Sequence, residues 1–247
     1  NKMKKVLIAA SVGVLTVLSS CDVLESAAST VSNSSSTGKI PLSNEEVVKG
    51  LKEALSVGIT NSVNLTSVAD GFLKNSEIRL PFPPDAIKVR EKAIEWGLDG
   101  QVEKFETTLN RAAEEAAKEA LPIFKNAITG MSLQDGFTVL NGGKGAATKF
   151  LKDNTTNELI AAFAPKVKTA IEKVKLTDYW NPIVTKYNTA APLLGTNKVN
   201  PDLNEYVTQL AIDGLFKMVE KEENKIRDNA SARVSDLLQR VFGSLDK

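Results

Sequence analysis

The chain has 247 residues, with 31 Lys and Arg against 30 Asp and Glu, one Cys and no His. Without His there is no Ser-His-Asp triad, no Cys-His dyad, no His-ligated metal and no His general base. A net charge of +1, with six Arg among the cations, does not suit a nucleic-acid binder, whose surface is strongly basic and rich in bidentate phosphate readers.

The first twenty residues read as an export signal. Lys2, Lys4 and Lys5 form a positive start, and Val6 to Leu18 is an apolar run too short to span a bilayer. Leu18-Ser19-Ser20-Cys21 follows, which resembles the bacterial lipoprotein signal. Cys21 is the only Cys in the chain and stands where the apolar run stops, so it is the expected site of lipidation and cleavage. Removing Lys2, Lys4 and Lys5 leaves 28 cations against 30 anions. Attachment is then expected through acyl chains and not through a basic surface. The expected address is the bacterial cell envelope, at the outer membrane or a periplasmic face in preference to the cytoplasm.

Residues 21–39 form the lipidated Cys and a tether. Asp22 to Lys39 holds six Ser with Thr30, Asn33, Thr37 and Gly38, too little apolar surface to order itself. As a coil it reaches roughly 23 Å root-mean-square. Ser36-Thr37-Gly38-Lys39 matches the S-x-x-K nucleophile motif. It lies in the tether without companion motifs, and catalysis needs a rigid site.

Residues 40–247 read as one all-α domain of several helices. Ser43-Asn44-Glu45-Glu46 is a capping box, followed by Val47, Val48, Leu51, Ala54 and Leu55 at helical spacing. Leu80-Pro81-Phe82-Pro83-Pro84 must be extended, and Pro84-Asp85 suits the first turn of a helix to Trp96. Phe82 is either an exposed recognition element or a connector pinned to the core. A long helix is expected over 101–130, with an Ala stripe at Ala112, Ala113, Ala116, Ala117 and Ala120 and a kink or split at Pro122. Ser132 starts the next helix, ending near Asn141-Gly142-Gly143. Thr155-Thr156-Asn157-Glu158 reads as a second capping box. Asn200-Pro201 is expected to open one more helix, and Asn229 the last, which Gly243 closes. No alternating strand pattern and no long repeat is present.

Several pieces of the chain together resemble a bacterial family. They are Asp70-Gly71-Phe72 with Pro81 and Pro83, then Asn110-Arg111-Ala112-Ala113-Glu114 leading to Pro122-Ile123-Phe124, Ala127-Ile128 and Met131. Ala146-Ala147-Thr148 follows, then Asp213-Gly214-Leu215-Phe216 with Glu222-Glu223 and Ile226-Arg227. Ala232-Arg233, Asp236-Leu237-Leu238 and Val241-Phe242-Gly243 complete the set. In order and spacing, over about residues 41 to 243, they resemble the bacterial domain-of-unknown-function family 4197. That resemblance implies an exported, all-helical protein, often a lipoprotein, and it brings no catalytic residues.

Three constellations could carry function. Gly142, Gly143, Lys144 and Gly145 precede a helix start and could hold a phosphate or carboxylate, although the P-loop spacing is absent. The alternative is a tight turn and helix cap. Tyr179, Trp180 and Tyr187 could stack on a glycan or anchor an interface, or else fill the core. Glu103, Glu106, Glu114, Glu115, Glu119, Glu220, Glu222 and Glu223 are acids on two helices. They could supply paired carboxylates or simply solvated faces, with Arg111 and Glu114 the expected internal pair. No cofactor is expected.

The leading expectation is a lipid-anchored envelope protein that acts by binding or assembly. Its partners would be the membrane, through acyl chains on Cys21, and envelope proteins or glycans, with no nucleic acid. The rivals are a carboxylate-dependent hydrolase of envelope polysaccharide, able to use Ca²⁺, and a carrier of an apolar ligand in a groove between helices.

Overall fold

A computed structural model describes residues 42–246. The expected signal peptide, Cys21, the tether and the start of the folded body at Ile40 lie outside the described residues.

The first helix, α1 (Asn44–Thr66), begins as the sequence demands. The Ser43 hydroxyl accepts from the Glu46 amide at 3.2 Å, and the Glu46 carboxylate accepts from the Ser43 amide at 2.9 Å. Its buried stripe is Val48, Leu51, Ala54, Leu55, Ile59 and Val63. The extended segment after it is pinned inward, with Leu80 and Phe82 buried. A short 3-10 turn (Pro84–Ala86) feeds α2 (Ile87–Glu95).

The expected long helix is two, α3 (Asp99–Ala117) and α4 (Ala120–Gly130). The break falls at Lys118 and Glu119, ahead of Pro122. Pro122 has no N–H to offer the Lys118 carbonyl four residues back, and its ring crowds that carbonyl. The helix therefore restarts with Pro122 in its first turn, where a missing N–H costs nothing. The Ala stripe is fully buried, Ala112, Ala113, Ala117 and Ala120 at 0% exposure.

Helix α5 (Leu133–Asn141) carries a Ser132–Asp135 capping box. Helix α6 (Ala146–Lys173) runs straight through the expected capping box at Thr155 to Glu158. Thr155 is buried, and its hydroxyl donates to the Leu151 carbonyl at 2.6 Å. The pattern is a false start because the helix is already running from Gly145. Helix α7 (Leu176–Ala190) follows.

Two further starts lie later than expected. Helix α8 is Asn204–Asp228, not a helix from Asn200. Asn200 accepts from the Asp202 amide, and Asp202 accepts from the Asn204 amide, each at 2.9 Å. These local turns compete with helix geometry. The last helix, α9 (Asp236–Gly243), is capped by Ser235, while Asn229 caps a 3-10 turn (Ala230–Ala232). Arg233 is the cause: it folds back on the end of α8 and takes the chain off a helical path. Val234, one of the expected stripe, is 70% exposed as a result.

Among the described residues there are nine α-helices and no strand, in one all-α domain. Helix α8 is central and lies against α6, α1 and α3. Close approach is set by small residues. A Cβ on Gly71 would sit 2.4 Å from the Leu65 carbonyl and 2.6 Å from that of Thr66, and one on Gly214 would sit 2.7 Å from the Phe72 ring. Backbone cannot step aside as a side chain can. Gly71→Ala is therefore expected to cost about 1–3 kcal/mol or more in urea unfolding. Gly100→Ala, in open space near the start of α3, should be neutral or stabilising by up to about 1 kcal/mol.

Candidate functional site

The buried ionisable groups meet helix ends. On α8, Glu223 and Arg227 stand four residues apart with side chains 5% and 8% exposed, their Oε1–Nε distance 2.9 Å. The Glu223 carboxylate accepts from the amides of Ala147 (3.0 Å) and Thr148 (2.9 Å) and from the Thr148 hydroxyl (2.8 Å). These are orphan donors of the first turn of α6, where the helix dipole also favours an anion. Arg227 donates to the carbonyls of Leu140 (3.1 Å) and Val139 (2.8 Å), the last turn of α5. One ion pair thus closes both sides of the α5–α6 corner.

The corner includes the expected anion site. Gly143 and Gly145 take positive φ, 77° and 74°, which supports the turn reading of this run. The Gly145 amide donates to Asn224, and Lys144 pairs with Asp228 at 2.5 Å. An outside phosphate at this helix start would have to displace Glu223.

A second clamp ties the turn after α1 to α3. Glu114 is buried, and its carboxylate accepts from the amides of Phe72 (3.1 Å) and Leu73 (3.2 Å). Arg111 bridges Glu114 and Asp70, at 2.7 Å to each, so the expected internal pair is present. Asp70 holds a left-handed backbone, φ 71°. The Lys74 ammonium, with Arg111 beside it, keeps its carboxyl below the ordinary aspartate range, and Glu114 and Asp70 raise Arg111. Asn110, fully buried, hooks the extended segment: its oxygen accepts from the Leu80 amide (2.8 Å) and its nitrogen donates to the Leu80 carbonyl (3.2 Å).

A third clamp is Arg233, 3% exposed. It donates to the carbonyls of Ile226 and Arg227 at the end of α8 and pairs with Asp246 at 2.6 Å.

These clamps fall on the very pieces that run in order through the chain, and residues 41–243 match the sequence model of the family described as a protein of unknown function, DUF4197. The chain belongs to that family. No match is found among curated proteins or solved structures. Within the matched span, many of the buried polar and small residues have a structural role. Asp70, Arg111, Glu114, Glu223, Arg227 and Arg233 close helix ends and turns, while Gly71 and Gly214 allow close approach.

The aromatic candidates divide. Trp180 is 0% and Tyr187 2% exposed, so neither offers a ring face to a stacked ligand. Trp180 stacks on Phe105 at 4.6 Å and meets Phe82 edge-on at 5.8 Å, so Phe82 is the buried connector. The indole N–H donates to the Pro201 carbonyl (2.9 Å), and Tyr187 donates to Thr196 (3.0 Å). Tyr179 is half-buried under Lys104, 5.7 Å from its ring centre.

The Trp180–Pro201 bond shapes an open groove of about 700 Å³ between the chain entering α8 and the Pro83–Ala86 turn. Asp85, Asp202 and Glu205 supply carboxylates, Asn197, Asn200 and Gln209 supply amides, and Lys198 one cation. Tyr206 closes one side, donating to the Pro81 carbonyl at 2.8 Å, and burial pushes its phenol up to about 12. Nothing in the sequence pointed to this groove, because its walls come from segments more than a hundred residues apart. By contrast, a small pocket lined by Leu51, Leu55, Val219 and Phe242 has about 10 Å³, room for one water at most. Among the described residues no group of three or more His, Cys, Asp or Glu is placed to hold a metal ion.

Arg227→Ala leaves Glu223 buried without its cation and the α5 carbonyls unpaired. The expected cost is about 3–5 kcal/mol, read from urea unfolding, and a loss below 1 kcal/mol would contradict the clamp. Asp70→Asn keeps the left-handed turn, which Asn tolerates. A depressed carboxyl contributes stability above its unfolded pKa and loses it as pH falls through the folded one. The variant should therefore be less stable than the parent at neutral pH, and the gap should close below about pH 4.

Proposed function

We propose that this DUF4197 protein is a lipid-anchored binding module of the bacterial envelope, held by acyl chains on Cys21 and engaging an envelope protein or glycan through the groove beside α8. The observation that carries the binding reading is the groove itself. It is open and lined with amides and carboxylates, and its walls are fixed by the Trp180–Pro201 and Tyr206–Pro81 hydrogen bonds. Converging polar groups on a rigid wall suit a hydroxyl-rich or peptide ligand. The clamps support a role without chemistry of its own, since Glu114, Glu223, Arg227 and Arg233 are bound to backbone and to each other. The address rests on the signal-like start and Cys21.

The same groove favours one second reading. Asp85, Asp202 and Glu205 lie around it, and two suitably spaced carboxylates suffice for glycoside hydrolysis. Carriage of an apolar ligand gains no support from the 10 Å³ pocket.

Two experiments bear on this. Cys21→Ser should abolish incorporation of labelled lipid and release the chain from membranes, and undiminished lipid labelling would overturn the anchor. A photo-crosslinking residue at Gln209 should give a discrete adduct in cells, where one at exposed Lys168 on α6 does not. Equal or absent adducts at both would overturn the groove as the binding face. Release of sugar from envelope polysaccharide by the purified chain, lost in Glu205→Gln, would replace the binding reading with the hydrolase.

A further inference from the structure

We propose that the turn at residues 192–195, between α7 and α8, is a lipid-contact tip that dips into the surface of the bilayer. Leu193 is 90% exposed and Leu194 42%. A lone, half-exposed leucine on a helix is ordinary, and Leu133 at 49% is one such case. Two adjacent leucines at the apex of a turn, behind exposed Pro192, are a convex apolar point.

The turn is built rigidly. The amides of Leu193 and Leu194 donate to the Ala190 carbonyl at 2.9 and 3.0 Å, and the Thr196 amide to that of Ala191 at 3.0 Å. Gly195 supplies the left-handed residue, φ 65°. At the base, Asn188 bonds both the amide and the carbonyl of Val199 at 2.9 Å, and Tyr187 holds Thr196. These bonds hold the backbone that presents the leucines.

Three features select lipid over protein as the occupant. Entry into a medium without water demands that backbone donors be already paired. Pro192 has no N–H, and those of Leu193 and Leu194 are bonded within the turn. Residues 179–201 contain no Asp or Glu, only Lys186 and Lys198. Lys186 lies over the Trp96 ring, 4.9 Å from its centre, while exposed Lys198 can reach headgroup phosphates. Finally, two leucines fall far short of the roughly 800 Å² a side that a stable protein interface buries. They are sufficient as a second contact for a body already held near a bilayer, since stable membrane attachment combines two weak signals.

The proposal rests on the reading of a chain that works at a membrane, yet it can fail separately from the Cys21 anchor. With Cys21→Ser, the chain has no native thiol, so Leu193→Cys provides a single site for an environment-sensitive fluorophore, and Leu133→Cys a control. The full-length labelled chain, held by an N-terminal hexahistidine tag to a nickel-chelating lipid that stands in for the acyl anchor, is mixed with vesicles of phosphatidylethanolamine and phosphatidylglycerol; with no native His the tag is the only such tether. The label at 193 should shift to the blue and be quenched by a nitroxide placed in the acyl region, while the label at 133 stays in water. Adding Leu194→Ser should weaken the quenching at 193 several-fold. A label at 193 that remains in water at excess lipid, or labels at 193 and 133 that respond alike, would overturn the tip. Lipid labelling of the unaltered Cys21 reports the anchor independently.

Discussion

The corner that joins α5 and α6 to the central helix α8 depends on a single buried ion pair. Glu223 and Arg227 sit on one face of α8, and each completes a helix end that the chain leaves open. The first turn of α6 lies in the interior, with Ala147 and Thr148 buried, so its amides cannot find water. A carboxylate supplied from α8 answers both the unpaired donors and the positive end of the dipole. The guanidinium beside it neutralises that carboxylate and caps α5 in the same stroke. Buried pairs are weak sources of net stability, but breaking one leaves a charge stranded. The pair therefore acts as a device for register: it holds the α5–α6 corner against α8 in one arrangement.

Much of the architecture was legible in the sequence because it rests on local rules. The Ser43 capping box, the Leu51–Ile59 stripe and the Pro-fixed extended segment are decided by neighbours a few residues apart. So is the Arg111–Glu114 pair. What failed was local too, but overruled from a distance. Thr155 to Glu158 has the letters of a helix start, yet α6 is already running. Asn200 and Asn229 were ready caps, but the chain near each is claimed by Trp180, through Pro201, and by Arg233. The Gly142–Gly145 run forms the tight turn that was the alternative to an anion site. That Glu223, more than seventy residues away, meets the amides of Ala147 and Thr148 just after that turn lies beyond spacing. The groove beside α8 was invisible for the same reason.

The clamps also bear on function. In a chain without His, buried carboxylates and guanidiniums are the natural suspects for chemistry. Glu114, Glu223 and Arg227 are instead engaged by backbone amides and carbonyls, where protonation or release would open a helix end. The contacts proposed here lie on the loop entering α8. One side of that loop lines the groove with Asn197 and Asn200, and its apex carries Leu193. A ligand groove and an apolar tip on one braced loop would place the proposed binding face close to the bilayer.

The most direct measurement is native-state hydrogen exchange at the amides of Ala147 and Thr148. First-turn amides of an uncapped helix exchange fast, at the rate of a fraying end. Bonded to the buried Glu223 carboxylate, they should exchange as slowly as interior amides of α8, and Glu223→Gln should release them selectively or along with the whole domain. Fast exchange of both amides in the unaltered protein would contradict the account.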